Sequence, residues 1–283
     1  MIDLHMHSTA SDGAFSPAAL ARMAKAANAE LIALTDHDTV LGVQEAAKEA
    51  SRCGLGFIPG VEISCGADAK THMLGYGIRQ DGKKLADIFN LQRNARLDQI
   101  TQMISRLNEL GFPIELSDVN SASGVVGRAR LAGALVRINA VKSTDEAFDK
   151  YLERGRPAYV PKNGPTLEQA ILAIRDCGGI PVLAHPYIES DPQEIFDMRL
   201  SSMVKMGLGG LECYHPLHNP ADALRLRRLC ERHGLLITGG SDFHGQGTSH
   251  GNFPGCGTEA FFDIAEQTNR LITAIRGQGG IVE

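Results

Sequence analysis

The stretch LIALTDHD, residues 31–38, shows how this chain folds and where its chemistry lies. Its first four residues form an uninterrupted apolar run, which is typical of a short strand buried on both faces. The four residues that follow are polar, and His37 stands between two aspartates. Charged groups at the end of a buried strand are costly unless they are paired or coordinated. We therefore expect a site at this strand end, although Asp38 taken alone is better explained as the N-cap of the following helix.

The same pattern of an apolar run ending in polar or glycine-rich residues recurs along the chain. Seven such runs lie at 2–4, 31–34, 56–63, 71–78, 180–184, 208–213 and 235–238. Helical stretches lie between several of them: Ser16 precedes one that begins at Pro17, and Asn219 precedes another that stops at Gly234. Because strands and helices alternate, the seven runs predict buried parallel strands in an α/β fold.

One region, from about 83 to 161, breaks this alternation because it contains helical patterns and no convincing strand. A single helical face there carries five apolar residues, Ile100, Met103, Ile104, Leu107 and Leu110. We predict a helical insertion over 83–161, between the fourth and fifth strands.

The composition fits a soluble globular protein. The net charge is −5, whereas a protein that tracks long duplex nucleic acid is usually basic. The six cysteines form no CxxC pair, which favours free thiols in a reducing cytoplasm. The N-terminus lacks the pattern of a signal peptide, and no apolar run approaches the ~18 residues that span a bilayer. We therefore expect a cytoplasmic protein with no membrane segment, no long duplex partner and no implied protein partner.

Two histidines, His5 and His7, follow the first apolar run. Residues two apart in a strand point to the same face, so both imidazoles project together while Leu4 and Met6 face the other way. Two imidazoles placed in this way can bind one cation. The pattern also arises by chance, so it indicates a metal site only together with other ligands.

Further histidines and carboxylates lie in or just after other apolar runs. They are His37, Glu62, His72, His185, Asp242 and His244. Each could be a satisfied buried polar residue, but six of the ten histidines share this placement. Strand ends converge in barrel-like α/β folds, so the set predicts a polynuclear metal centre. Imidazole and carboxylate ligands suit manganese, zinc or iron and do not choose among them.

Six motifs in chain order, DLHMHS, ALTDHD, GVEI, HMLGY, LAHP and GGSDFHG, resemble those of the polymerase-and-histidinol-phosphatase (PHP) family of metal-dependent phosphoesterases. The resemblance covers roughly 1–79 and 166–283. It implies a distorted (β/α)7 barrel, which agrees with the seven runs. Residues 1–82 and 162–283 would form this barrel, and the helical insertion, 83–161, would cap its mouth and set substrate size.

The resemblance implies three metal positions, filled by two or three divalent ions, manganese first and zinc or iron as alternatives. The first would use His5, His7, Glu62 and Asp242. The second would use Glu62 as a bridge, with His72 and His185. The third would use Asp12, His37 and His244. Some relatives have histidine where this chain has Asp12, so occupancy of the third position stays open.

In catalysis, the resemblance implies that four residues act through a metal-bound hydroxide that attacks phosphorus. They are His5, His7, Glu62 and Asp242. The general acid is not assigned by the sequence.

The helical insertion resembles that of the family branch acting on nucleotides, which includes 3′,5′-nucleoside bisphosphate 3′-phosphatases and 5′-to-3′ exonucleases on short RNA. This implies hydrolysis of the 3′-phosphate of a bisphosphorylated nucleoside such as pAp, with short 5′-phosphorylated oligoribonucleotides as a further substrate class. Two alternatives stay open: a histidinol-phosphate-type or general phosphomonoesterase, and a non-catalytic metal or nucleotide sensor. The insertion counts against the first, and the complete ligand set counts against the second.

Four residues are candidates for substrate contact. Arg128 and Arg130 stand where relatives often carry a GRPH-like motif, from which Ala129 and Arg130 depart. They would bind a phosphate, or else be solvated arginines at a helix start. His215 and His218 follow the sixth run, and either could touch the substrate phosphate or donate a proton. The alternative is an ordinary surface loop.

Overall fold

The structure is a computed structural model that describes residues 1–67, 71–119, 127–186, 193–245 and 264–283. Seven strands form one sheet in which their spatial order follows the chain. They are β1 (Ile2–Asp3), β2 (Leu31–Leu34), β3 (Gly56–Cys65), β4 (Thr71–Tyr76), β5 (Ile180–Leu183), β6 (Gly210–Tyr214) and β7 (Leu236–Gly239). Each overlaps one of the predicted apolar runs, so the seven-stranded α/β fold is confirmed.

Helices connect or flank the strands. Those among the described residues are α1 (Pro17–Ala26), α2 (Val43–Cys53), α3 (Lys83–Glu109), α4 (Leu116–Val119), α5 (Arg128–Arg137), α6 (Thr144–Ala147), α7 (Leu167–Asp176), α8 (Gln193–Met206), α9 (Pro220–His233) and α10 (Ile264–Gly277), with a π-helical turn at Phe148–Leu152. The predicted helix starts are present: Ser16 caps α1, and Asn219 caps α9, which ends at Gly234 in the left-handed conformation.

The sheet is mixed, and here the expectation of parallel strands throughout was wrong. β1, β2 and β3 run parallel to one another, as do β5, β6 and β7, but β4 is antiparallel to both of its neighbours. The reason is the short link 66–70 between β3 and β4, since a parallel connection needs a crossover of a dozen or more residues.

Contacts between the two ends of the sheet nearly close it into a barrel. Met6 forms an isolated parallel bridge with Phe243, and the Leu4 N–H donates to the Gly239 carbonyl at 3.3 Å. The first and last sequence motifs are therefore side by side.

Burial on both faces explains the uninterrupted apolar runs. In β2, Ile32 and Leu34 belong to a cluster with the apolar faces of α1 and α2, whereas Leu31 and Ala33 belong to a cluster with neighbouring strands and α10. Neither face leaves room for a polar residue until the strand ends.

The chain divides into two compact units. The first comprises Met1–Gly66, Lys70–Phe89 and Pro165–Glu283, and the second comprises Ala67–Ala69 and Asn90–Gly164. In the second unit, four of the five residues predicted on one face of α3 are buried, but Leu110 lies beyond the end of the helix and is 45% exposed. No helix in the described ranges is both long and apolar enough to cross a bilayer.

Candidate metal centre

His5 and His7 lie just after β1 and point to the same place. Their Nε2 atoms are 3.3 and 3.2 Å from Oε2 of Glu62, and 3.3 and 3.1 Å from Oδ1 of Asp242. Met6 between them is fully buried in the apolar core, which directs the two imidazoles to the opposite side. The four polar side chains are buried and bring their ligand atoms within 4.8 Å of one another. The structure thus gathers the four residues predicted for the first metal position.

Glu62 is the centre of the site. It lies within β3, fully buried, and forms a parallel bridge with His37 beyond the end of β2. Besides His5 and His7, its Oε2 atom contacts Nδ1 of His37 at 3.0 Å. One carboxylate oxygen is therefore surrounded by imidazole nitrogens from three histidines.

The other oxygen of Glu62 faces a second pair of histidines. Oε1 lies 2.9 Å from Nδ1 of His72, on β4, and 3.1 Å from Nε2 of His185, just beyond β5. The two imidazole nitrogens are 3.2 Å apart. Glu62, His72 and His185, the residues predicted for the second position, are thus brought together, and Glu62 is shared with the first group.

A third group lies around Asp12. Nε2 of His244 is 3.4 Å from Oδ1 of Asp12, and Nε2 of His37 is 3.9 Å from Oδ2. The group includes a member that the sequence had assigned elsewhere: Nδ1 of His7 is 3.9 Å from the same Asp12 carboxylate. His7 therefore presents one nitrogen to each of two groups.

The charges of the cluster are strongly coupled. Burial disfavours the charged form of His5, but Glu212, Glu62 and Asp242 together raise its pKa well above the ordinary value. Burial likewise disfavours a charged Glu62, yet the surrounding imidazoles hold the pKa of that carboxyl well below its usual range. Despite burial, the carboxylates of Glu62 and Asp12 raise the pKa of His37 to about 9. In the absence of a metal cation, protonated histidines therefore balance the negative charge of the buried carboxylates.

Several buried atoms of the predicted ligands have no hydrogen-bond partner in the described part of the chain. Nε2 of His5, both ring nitrogens of His7 and Oε2 of Glu62 are buried and make no hydrogen bond with the described part of the chain. Leaving buried polar atoms unsatisfied costs roughly 1–3 kcal/mol each. Divalent cations placed among these nitrogen and oxygen atoms would satisfy them, and the donor set of imidazole and carboxylate suits such ions.

The backbone that presents the ligands is locally strained. His185 and Asp242, each beyond the end of a strand, have left-handed φ values of 27° and 52°. A non-glycine residue in this region costs of order 1–3 kcal/mol and persists only where the surroundings impose it. Strain at two predicted ligands is typical of a functional site.

Asp38 does not cap the following helix, contrary to the sequence-based expectation. The N-cap of α2 is Gly42, and Oδ1 of Asp38 instead accepts a hydrogen bond from the Ser64 N–H at 3.0 Å. Asp38 itself has a left-handed φ of 54°.

Glu212 is a buried carboxylate that sequence reasoning missed. It lies in β6, accepts a hydrogen bond from Nδ1 of His5 at 2.9 Å, and accepts another from the His185 N–H at 2.7 Å. The signal that identified Glu62, a carboxylate inside an apolar run, is also present at Glu212 and would have found it.

His215 and His218 are placed inward rather than on an ordinary surface loop. His215 is buried; its Nδ1 accepts from the Leu217 N–H at 3.2 Å, and its Nε2 lies 3.4 Å from Oδ2 of Asp242. Nδ1 of His218 lies 3.2 Å from the Cys213 carbonyl and donates to it, while burial lowers the pKa of its ring. Their contact with substrate stays a prediction.

Arg128 and Arg130 belong to the helical unit, in the exposed first turn of α5. The Arg128 guanidinium lies 6.0 Å from the centre of the Phe148 ring, at the limit of a cation–π contact. Their role in phosphate binding stays a prediction.

Comparison with known proteins gives concordant matches. The PHP domain model matches residues 3–153. A 3′,5′-nucleoside bisphosphate phosphatase of Chromobacterium violaceum is 35% identical over 87% of this chain and 88% of its own length. The 5′-3′ exoribonuclease Rnm of Escherichia coli is 34% identical over 86% of this chain and 84% of its own. The structure of a protein from Bifidobacterium adolescentis named as a metal-dependent phosphoesterase superposes with a TM-score of 0.75, at 29% identity and with 96% of each chain covered.

Proposed function

Because the chain belongs to the PHP domain family of metal-dependent phosphoesterases, we propose that it removes the 3′-phosphate from 3′,5′-nucleoside bisphosphates such as pAp. The main observation behind the proposal is the set of contacts made by the Glu62 carboxylate. Its two oxygens contact five histidines, with three imidazoles on one oxygen and two on the other. Such a bridge suits a centre with more than one divalent cation, the kind that hydrolyses phosphate esters.

The residues that would hold the cations follow from the three groups. They are His5, His7, Glu62 and Asp242 for the first; Glu62, His72 and His185 for the second; and Asp12, His37 and His244, with His7 in reach, for the third. Bound divalent cations would make a water molecule more acidic and would neutralise charge on the phosphoryl oxygens. Manganese is our first choice, with zinc or iron as alternatives.

The protein's own groups orient this set. Nε2 of His215 donates to the second oxygen of Asp242, which leaves Oδ1 directed at His5 and His7. His5 is oriented in the same way from its far side by Glu212. Because hydrogen bonds from His215 and to Glu212 fix the orientations of Asp242 and His5, these side chains need little reorganisation when a phosphate ester binds.

Substrate choice within the family is the finer part of the proposal. The similarity to a named bisphosphate phosphatase over 87% of the chain supports a small nucleotide substrate. We propose that Arg128, with Arg130, binds the phosphate that is not cleaved, because a guanidinium pairs with phosphate oxygens bidentately. His218 and His215 are proposed substrate contacts from the barrel unit.

Short 5′-phosphorylated RNA is a second candidate substrate, which the similarity to a 5′-3′ exoribonuclease over 86% of the chain favours. The two activities need the same ester hydrolysis on a nucleotide with a 5′-phosphate. They differ in whether the cleaved phosphate carries another nucleotide.

The test is phosphate release from pAp by the manganese-loaded protein, compared with 5′-AMP, 3′-AMP, histidinol phosphate and a short 5′-phosphorylated RNA. We expect pAp to be preferred. His5→Ala should abolish turnover, and Arg128→Ala should raise KM for pAp. His233→Ala, at the end of α9 and away from the clusters, is the matched control and should behave as wild type. Equal turnover of histidinol phosphate would sink the nucleotide assignment, and no turnover of any ester would favour the sensor alternative.

A further inference from the structure

Glu212 occupies an unusual position behind the metal centre. It lies in the middle of β6, is completely buried, and uses both carboxylate oxygens. Oε1 accepts from the His5 ring at 2.9 Å, and Oε2 accepts from the His185 backbone N–H at 2.7 Å. A single carboxylate therefore contacts one predicted ligand of the first cation position and one of the second.

The local shape of β6 supports this placement. The pairing of β6 with β7 shifts register between Glu212 and Tyr214, so that Glu212 is opposite Thr238 and Tyr214 is opposite Gly239. Such irregularities bend a strand and re-aim a side chain, and they are frequent next to active sites.

The contact with His5 decides which ring nitrogen can bind a cation. Because Nδ1–H donates to Glu212, the lone pair of a neutral His5 is on Nε2. That atom lies 3.3 Å from Oε2 of Glu62 and 3.3 Å from Oδ1 of Asp242. Carboxylates that accept from the second nitrogen of a ligand histidine fix its tautomer and raise its basicity.

The contact with His185 holds a strained backbone. His185 has a left-handed φ of 27°, which a non-glycine residue adopts only when its surroundings impose it. The hydrogen bond from its N–H to Glu212 is one such constraint, and it acts on a residue whose Nε2 lies 3.1 Å from Oε1 of Glu62.

We propose that Glu212 is a positioning residue that couples the first and second cation positions, by orienting the His5 ring with one oxygen and the His185 backbone with the other. This inference rests on the proposed metal centre but not on the identity of the substrate. In this proposal Glu212 acts through His5 and His185 and is not itself a cation ligand.

Glu212→Gln is the discriminating substitution because an amide has the same shape but only one acceptor oxygen. If that oxygen faces the His185 N–H, the amide NH2 faces Nδ1 of His5, and the proton of His5 moves to Nε2. If the oxygen faces His5, the NH2 meets the His185 N–H, donor against donor. Either orientation disturbs one cation position.

The experiment measures Zn²⁺ binding by calorimetry and metal analysis, with Zn²⁺ as a diamagnetic probe. We expect Glu212→Gln to lower Zn²⁺ affinity by about 10- to 100-fold, the effect typical of removing the partner of a ligand histidine. In ¹⁵N-histidine NMR spectra of the Zn²⁺-loaded protein, the Nδ1–H signal of His5, assigned by its loss in His5→Ala, should shift or disappear in the variant.

Two further variants separate positioning from a merely structural role. Asp3→Asn alters another buried carboxylate, whose Oδ1 accepts from the backbone N–H groups of His5 and Ser241. An amide oxygen can replace that acceptor, so the Nδ1–H signal should be retained. Glu212→Asp keeps the negative charge, but its side chain is one methylene shorter, so this variant should also bind Zn²⁺ more weakly. It replaces Glu212→Gln in the experiment if that variant does not fold.

Wild-type Zn²⁺ affinity in Glu212→Gln or in Glu212→Asp would overturn the proposal, and so would an unchanged His5 signal in Glu212→Gln. The outcome is distinct from that of the proposed function. Hydrolysis of pAp by the wild type with unaltered Zn²⁺ affinity in both variants would refute the role of Glu212 alone. Weakened Zn²⁺ binding in a protein that does not hydrolyse pAp would support the role of Glu212 and refute the phosphatase.

Discussion

Nδ1 of His37 lies 3.0 Å from Oε2 of Glu62, and this contact makes the stability of the metal-free protein depend on pH. The pKa of His37 in the folded protein is about 9, above its ordinary value of 6.5. Its stabilising contribution is therefore fully present below pH 6.5 and is lost as the pH rises to 9. His5, whose pKa is also raised, acts in the same direction. His7, whose pKa burial lowers, opposes this only below pH 6.5.

We accordingly expect the Tm of chelator-treated protein to fall between pH 6.5 and 9. With added Mn²⁺ the decline should be absent or reversed, because ligand imidazoles are then neutral and protons no longer compete with the ion. His37→Gln should flatten the curve in chelator. Parallel curves with and without the metal would contradict the assignment of these histidines as ligands.

Removal of metal should destabilise the protein at neutral pH. Ligands that bind only the folded state stabilise it by mass action, by about 2.7 kcal/mol at 100 times the dissociation constant of a single site. Thermal unfolding during a Mn²⁺ titration of chelator-stripped protein should show a Tm that rises with metal concentration. The same titration on His5→Ala should give a much smaller rise, and a Tm indifferent to metal in the wild type would exclude a metal centre.

Asp12 offers a test of the third cation position. Its side chain is 58% exposed, unlike the buried carboxylates of the first group. Partial burial raises the pKa of Asp12, but the neighbouring His244 and His37 lower it by more, so the net shift of the pKa is downward. We expect Asp12→Asn to reduce the bound metal by about one equivalent, because Asp12 is the carboxylate of the third group. Metal analysis after gel filtration measures this, with Asp145→Asn in α6 as the control. Full retention of metal would show that Asp12 is not a ligand.

Gly240 should tolerate no side chain. A Cβ atom added there would lie 2.3 Å from Cβ of His5 and 2.5 Å from its backbone nitrogen, and a backbone atom cannot rotate away. Gly240→Ala should therefore destabilise the protein by about 1–3 kcal/mol, as overpacking does, and weaken metal binding by displacing His5. Urea unfolding with metal analysis tests both effects. Gly277→Ala, where an added Cβ meets nothing within 4 Å, is the control and should be neutral. Normal metal binding by Gly240→Ala would mean that the backbone adjusts without moving His5.

The sequence predicted the strands well because each is an apolar run that ends at a polar residue, and β2 coincides with its prediction residue by residue. It did not predict the direction of β4, since direction depends on the connection rather than on the strand. The prediction of parallel strands followed the alternation of strands and helices, which the short link 66–70 interrupts.

Local spacing predicted that His5 and His7 share a face, but it could not assign the two nitrogens of His7 to different groups. That division depends on where the fold places Asp12 and Glu62 around the His7 ring. Asp38 was misjudged for a similar reason. A helix cap can be predicted from the local sequence, whereas the Asp38 side chain accepts a hydrogen bond from the Ser64 N–H of the neighbouring strand.

The bridge between Met6 and Phe243 has a consequence for folding. His5 and Asp242 are separated by almost the entire chain, and such non-local pairings close a long loop late and slowly. The strands from β1 to β6 can pair with their neighbours as synthesis proceeds, but the proposed first cation position has only one of its two carboxylates, Glu62, until the segment with Asp242 after β7 docks beside β1. Metal capture at that position would then report completion of the whole barrel, and a nascent chain would hold His5, His7 and Glu62 without Asp242.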